Sequence, residues 1–266
     1  MATFDFPDND YWLTNKRYVF KASEYDPLPI QHGTYLNLYG EDYVTNQSGT
    51  TLVFKGHKQD RDQWDGVKVF GFSLAASEAK DRFVLKNAGL WVHWDVRSIF
   101  LGGDDSLIIN YGKKNFTDPK NHVGVTVQGR LGLGGGNDLI KAKAQYRGLE
   151  IGRSGWLTTG SGDDRVIVKS NNVYALAIGN VLDTDSGDDL IVGRANGKGD
   201  ASSGIFLDFD AKLLTGKGND IIKGNIDRRR SWHTFRVSIT VLFKTPLPCP
   251  APPLLPMETR METLPK

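Results

Sequence analysis

Five aspartates stand at matching places in five glycine-rich phrases. They are Asp105 in LGGDDSLII, Asp138 in LGLGGGNDLIKA, Asp164 in LTTGSGDDRVIV, Asp189 in LDTDSGDDLIVG and Asp220 in LTGKGNDIIKGN. Each is preceded by a second acid or amide: Asp104, Asn137, Asp163, Asp188 and Asn219. Stacking these phrases in register would line the carboxylates up in a row. Neighbouring carboxylates about 5 Å apart repel by roughly 3 kcal/mol at an effective dielectric of about 20. Calcium would relieve that repulsion, because it accepts carboxylate and backbone carbonyl oxygens in a flexible shell. The candidate metal ligands are therefore Asp105, Asp138, Asp164, Asp189 and Asp220, joined by Asp163, Asp188, Asn137 and Asn219. The competing chemistry needs no metal: the same side chains cap backbone donors at a turn, as Asp and Asn commonly do.

The elements that would position these residues follow from the spacing. Two residues after each aspartate comes an apolar side chain: Leu107, Ile140, Val166, Ile191 or Ile222. Asp81 with Phe83 fits the same frame without the glycines. Upstream, a small residue opens an alternating phrase at Gly66, Gly89, Gly124, Gly148, Ala175 and Gly204. From these positions to the marker aspartates the gaps are 15, 16, 14, 16, 14 and 16 residues. Near-constant spacing of this kind marks one structural unit repeated. Alternation of apolar and other residues is the period of a half-buried strand. A further strand is predicted around Leu131, Leu157, Leu182 and Leu213, each seven residues before its aspartate. One unit cannot bury its apolar face alone, whereas stacked units bury all of them in a continuous column. The expected fold is all-β: a right-handed parallel β-helix, or solenoid, of about six coils.

The phrases GGGND-L-I (134–140), GSGDD-R-V (160–166) and GKGND-I-I (216–222) resemble the RTX, or haemolysin-type, calcium-binding nonapeptide G-G-x-G-x-D-x-U-x. The resemblance covers five short segments and implies calcium held between stacked turns of a secreted protein. It carries Asp138, Asp164, Asp189 and Asp220 over as ligands, with Asp105 a weaker member. The chain departs from that pattern in spacing, since its phrases recur every 25 to 33 residues rather than back to back. Asp185 also replaces the first turn glycine in one phrase.

The composition divides the chain into three parts. Residues 1–65 are aromatic-rich and read as an N-terminal capping segment or first β segment. Residues 66–227 form the repeat region. Residues 228–266 contain no glycine and seven of the eleven prolines, a composition suited to an extended, disordered tail. The abrupt change after GNDIIKGNID leaves two readings of the tail: a basic extension, or a non-native segment in place of further repeats. The net charge of +2 comes from this tail, so no nucleic-acid partner is inferred. The single cysteine rules out an intrachain disulfide framework. No apolar run is long enough to cross a membrane as a helix. The acidic start MATFDFPDND does not read as a signal peptide, while the repeat points to an extracellular or cell-surface location.

Variable lengths between units place insertions at one corner of the coil, often a binding face in repeat proteins. Those segments carry Lys113, Lys114, Lys141, Lys143, Arg147, Tyr146 and Tyr174, a basic and aromatic edge suited to an acidic polysaccharide or a cell surface, or simply a solvated rim. In WVHWD, strand alternation with Leu90 and Val92 inward puts Trp91, His93 and Asp95 on the outer face. No motif assigns a nucleophile, acid or base, so no catalytic residue is named. Three function classes follow. One is a calcium-binding, non-catalytic structural or binding protein. The second is a β-helix carbohydrate-active enzyme such as a lyase, epimerase or hydrolase. The third is a metal-free structural solenoid such as an adhesin or fibre segment.

Overall fold

The computed structural model describes residues 2–5, 17–21, 34–40, 49, 51–56, 66–71, 79–97, 100, 102–112, 122–197, 202–224, 226–227 and 239–242. These residues contain strands and no helix. Strand pairing is parallel throughout, and the strands stack into three sheets. The first sheet holds β1 (Ala2–Asp5), β3 (Thr34–Gly40), β5 (Gly66–Gly71), β7 (Gly89–Val92), β9 (Val123–Val127), β12 (Arg147–Ile151), β15 (Tyr174–Ile178), β18 (Ser203–Leu207) and β21 (Ile226–Asp227). The second holds β2 (Arg17–Lys21), β4 (Thr51–Lys55), β6 (Arg82–Lys86), β8 (Ser106–Tyr111), β11 (Leu139–Ala144), β14 (Arg165–Ser170), β17 (Leu190–Ala195) and β20 (Ile221–Lys223). The third holds β10 (Arg130–Gly132), β13 (Trp156–Thr158), β16 (Val181–Asp183), β19 (Lys212–Lys217) and β22 (Ile239–Leu242). The protein is therefore a parallel β-solenoid.

A full turn runs from the first sheet through the third to the second, as in β9, β10 and β11. Five levels carry a strand in the third sheet, one fewer than the six coils that the repeat predicts. Among the described residues the earlier levels show strands of the first two sheets. Residues 1–65 contribute four strands, β1 to β4, to the same two long sheets. Most of the tail lies outside the described residues; Ile239–Leu242 pairs with β19 across a register shift.

The core follows from alternation. In β8 the side chains of Leu107, Ile109 and Tyr111 are buried, and Asn110 is exposed. The strand register places Leu107, Ile140, Val166 and Ile191 in one inward column. The predicted third strand is present: Leu131, Leu157, Leu182 and Leu213 stack in register and are all buried. Inward residues of all three sheets form a single apolar cluster. Because each coil packs on its neighbours, the core is a column rather than a ball, and every level needs the one beside it.

Leu157 is fully buried in the middle of this column. Leu157→Ala should lower stability by about 2–5 kcal/mol, because the surrounding coils relax only partly around the cavity. Lys141→Ala, on the outward face, should change it by less than about 0.5 kcal/mol. Denaturant unfolding of the two variants checks the contrast.

Candidate functional site

The aspartate corners lie between the third and second sheets. Each corner must reverse direction in a few residues while sitting on an identical corner beneath it. Positive φ angles do this at two places in each of the four corners from Asp138 to Asp220, for example Gly160 (φ 92°) and Gly162 (φ 134°). The residue between them stays extended and bridges to its neighbours, as Gly135 does to Gly102 and Ser161. Gly162 meets a second demand: a Cβ there would lie 2.0 Å from the carbonyl oxygen of Gly136 in the adjacent coil. Asp185, the non-glycine exception, has φ 58°, and its own N–H donates to Asp183 Oδ1 at 3.1 Å. Asp tolerates this left-handed conformation better than most residues do.

The marker aspartates form a ladder. The backbone N–H of Asp81 donates to Asp105 Oδ1 at 2.7 Å. The N–H of Asp105 donates to Asp138 Oδ1 at 2.7 Å, and that of Asp138 to Asp164 Oδ1 at 2.8 Å. Asp164 and Asp189 continue it, donating to Oδ1 of Asp189 and Asp220 at 2.9 and 3.1 Å. Asp81, Asp105, Asp138, Asp164 and Asp189 are all buried. Asp81 thus starts the row although its phrase lacks the glycines.

A second ladder runs outside the first with opposite polarity. Asn137 N–H donates back to Asp104 Oδ1 at 2.8 Å, and Asp163 N–H to Asn137 Oδ1 at 2.7 Å. Asp188 N–H donates to Asp163 Oδ1 at 2.9 Å, and Asn219 N–H to Asp188 Oδ1 at 2.8 Å. These outer residues are exposed. Each corner therefore uses one acid or amide for the coil on one side and a second for the coil on the other.

Burial has an electrostatic consequence. It raises the Asp105 carboxyl from its ordinary value to about 8, Asp138 to about 7 and Asp164 to about 6; Asp189 is raised as well. Desolvation is the largest cause in each, because it disfavours the charged form. The donated backbone N–H opposes it, and the neighbouring aspartates push the value further up. At Asp164 and Asp189 a side chain also opposes the rise. Five residues before Asp164 and Asp189 stand the buried hydroxyls of Thr159 and Thr184, which favour the ionised form. The same position before Asp105 and Asp138 holds Phe100 and Leu133, which offer nothing comparable. The threonines went unnoticed in the sequence because they lie outside the glycine phrase; their constant offset from the aspartate was the available signal.

The second oxygens, Oδ2 of Asp105, Asp138, Asp164, Asp189 and Asp220, are buried and accept no hydrogen bond of good geometry. Calcium takes roughly six to eight oxygens. Here Oδ1 of each inner aspartate already faces an N–H donor, which a cation would repel, leaving one open carboxyl oxygen per coil. Among the described residues no three His, Cys, Asp or Glu side chains are grouped to hold an ion. Oδ2 is therefore the carboxyl oxygen that each inner aspartate leaves open, to a proton or to a cation.

The basic and aromatic edge is distributed differently from its sequence reading. Lys141 and Lys143 belong to β11, not to a loop, because that strand runs on to Ala144. Both are exposed. Arg147 binds Glu150 through its guanidinium and lies over the rings of Tyr146 (5.0 Å) and Tyr174 (5.8 Å). Tyr174 is only 3% exposed and stacks on Phe206 at 4.4 Å, so its ring is packed rather than offered to a ligand. Lys113 and Lys114 lie outside the described residues. His93 Nδ1 and Asp95 Oδ1 are 2.8 Å apart beside the 67% exposed Trp94, with Leu90 and Val92 inward as expected.

A comparison with protein-family models finds no match, and searches of curated proteins and of solved structures find none either. No helix among the described residues is long and apolar enough to cross a membrane.

Two outcomes are expected. Asp164→Ala would leave the buried Asp138 N–H unpaired and should cost about 1–3 kcal/mol, while Asp164→Asn keeps an acceptor and should cost less. The second concerns pH. Folded values above the ordinary aspartate value of about 3.9 mean that the folded chain binds more protons between the two. The aspartates' contribution is complete below about pH 4 and is lost as pH rises through about 6 to 8. Melting temperature in chelator should therefore be higher at pH 5.5 than at pH 9, and Asp138→Asn should flatten the difference.

Proposed function

We propose that the protein is a non-catalytic structural solenoid at an extracellular or cell-surface location, a rigid scaffold whose corners are closed by its own backbone and carboxyl groups. The observation that carries this reading is the unbroken run of N–H to Oδ1 hydrogen bonds from Asp81 to Asp220, all between 2.7 and 3.1 Å. A corner satisfied in this way lets coils stack without a cofactor, and stacking is what builds a long stiff surface.

A calcium-bound form is the second reading. The row of buried Oδ2 atoms without hydrogen-bond partners favours it, together with the resemblance of the phrases to RTX repeats. Calcium would then take the place of the proton on the inner row. Thermal melting by circular dichroism at pH 7.5, in millimolar calcium and in excess EGTA, separates the two. The scaffold reading expects melting temperatures that agree within about 2 °C, well below the shift that a tightly bound ion produces by mass action. A fall of about 10 °C or more in EGTA would sink it and put calcium at the corners.

A further inference from the structure

The strand register of the second sheet brings together cations that are far apart in the chain. Lys55 pairs with Lys86, Lys86 with Asn110, Asn110 with Lys143, Lys143 with Lys169 and Lys169 with Arg194. Lys21 extends the file by pairing with Lys55. The six from Lys55 to Arg194 occupy successive rungs at one position across the sheet, and Lys86, Asn110, Lys143 and Arg194 are exposed. The eight strands of this sheet hold eleven Lys and Arg residues and no Asp or Glu. Among the described residues no salt bridge engages Lys86, Lys143, Lys169 or Arg194. Like charges in single file at a strand spacing repel one another.

We infer that this face binds a linear acidic polysaccharide lying along the column, with its carboxylates on the file of cations. Three features favour that class over other polyanions. The rungs repeat at about 4.8 Å, a wider spacing than the roughly 3.4 Å of helix axis per phosphate of a duplex strand. Single-stranded nucleic acid is held by aromatic stacking platforms, yet the outward positions from β4 to β20 carry no Phe, Tyr or Trp. Beside the cations runs a column in which the exposed Lys141 stands between the half-buried Ile108 and Ile167, so a further cation is flanked by aliphatic side chains suited to the C–H face of a sugar ring. The inference rests on sheet register, not on the aspartate corner, so it stands or falls separately from the corner chemistry.

The test uses the full chain and oligogalacturonates as probes, measured by isothermal titration calorimetry at low salt. The triple variant Lys143→Gln/Lys169→Gln/Arg194→Gln should lose about tenfold or more in affinity. Arg130→Gln/Lys212→Gln/Lys217→Gln removes the same charge from the third sheet and should stay within about twofold of the unchanged chain. Affinity should grow from a disaccharide to a hexasaccharide as more rungs engage, and should weaken with salt. Circular dichroism confirms that both variants are folded. Equal losses in the two variants would mean diffuse charge and would overturn the proposal. So would unchanged affinity in the first variant. Tighter binding of the unchanged chain to oligo(dT) or to phosphatidylserine vesicles than to the uronates would assign the face to another partner.

Discussion

The solenoid depends on one hydrogen bond, repeated: a backbone N–H in one coil donating to the carboxyl of an aspartate in the next. A corner cannot use the regular ladder of a strand, because its residues turn out of the strand direction. Its N–H groups still have to be satisfied once stacking takes them away from water. An aspartate in each corner supplies the missing acceptor, and its own N–H then needs the next aspartate. The interaction therefore propagates from coil to coil, from Asp81 to Asp220.

Two rows of opposite polarity make the arrangement a register device. Asp138 links its coil to both neighbours through the inner row, while Asn137 does so through the outer row in the opposite sense. A slip of one residue would exchange the rows, burying exposed side chains and exposing buried ones, as any one-residue slip in a strand does. The close approach of Gly162 to Gly136 follows from the same contact, since hydrogen bonds of 2.7 and 2.8 Å between these corners leave no room for a Cβ. Burial of the inner row then raises its carboxyls, so the device that sets the register also makes the fold sensitive to alkali.

Much of this was legible in the residues. The marker aspartate, the apolar position two residues on and the leucine seven residues before it all keep constant offsets, so their stacking could be read directly. The sheet strands before Gly66 were not legible as repeats, because those levels lack the glycine corner and pair through backbone atoms that any sequence supplies. The fate of the carboxyls was open for a related reason: an N–H partner leaves no trace in sequence, so a capping ladder and a calcium site looked alike. The cation file was hidden by unequal insertions. Lys86, Lys143, Lys169 and Arg194 are brought into line only by pairing, and Lys143 fell in a segment that unequal spacing marked as an insertion.

Amide hydrogen exchange at Asp105, Asp138, Asp164 and Asp189 tests the central claim most directly. In EGTA these four N–H groups should exchange as slowly as the buried strand amides of Ile140 and Val166, and calcium should leave them unchanged. Rapid exchange in EGTA, with protection appearing only when calcium is added, would contradict the account and make the metal, not the backbone, the element that closes the corners.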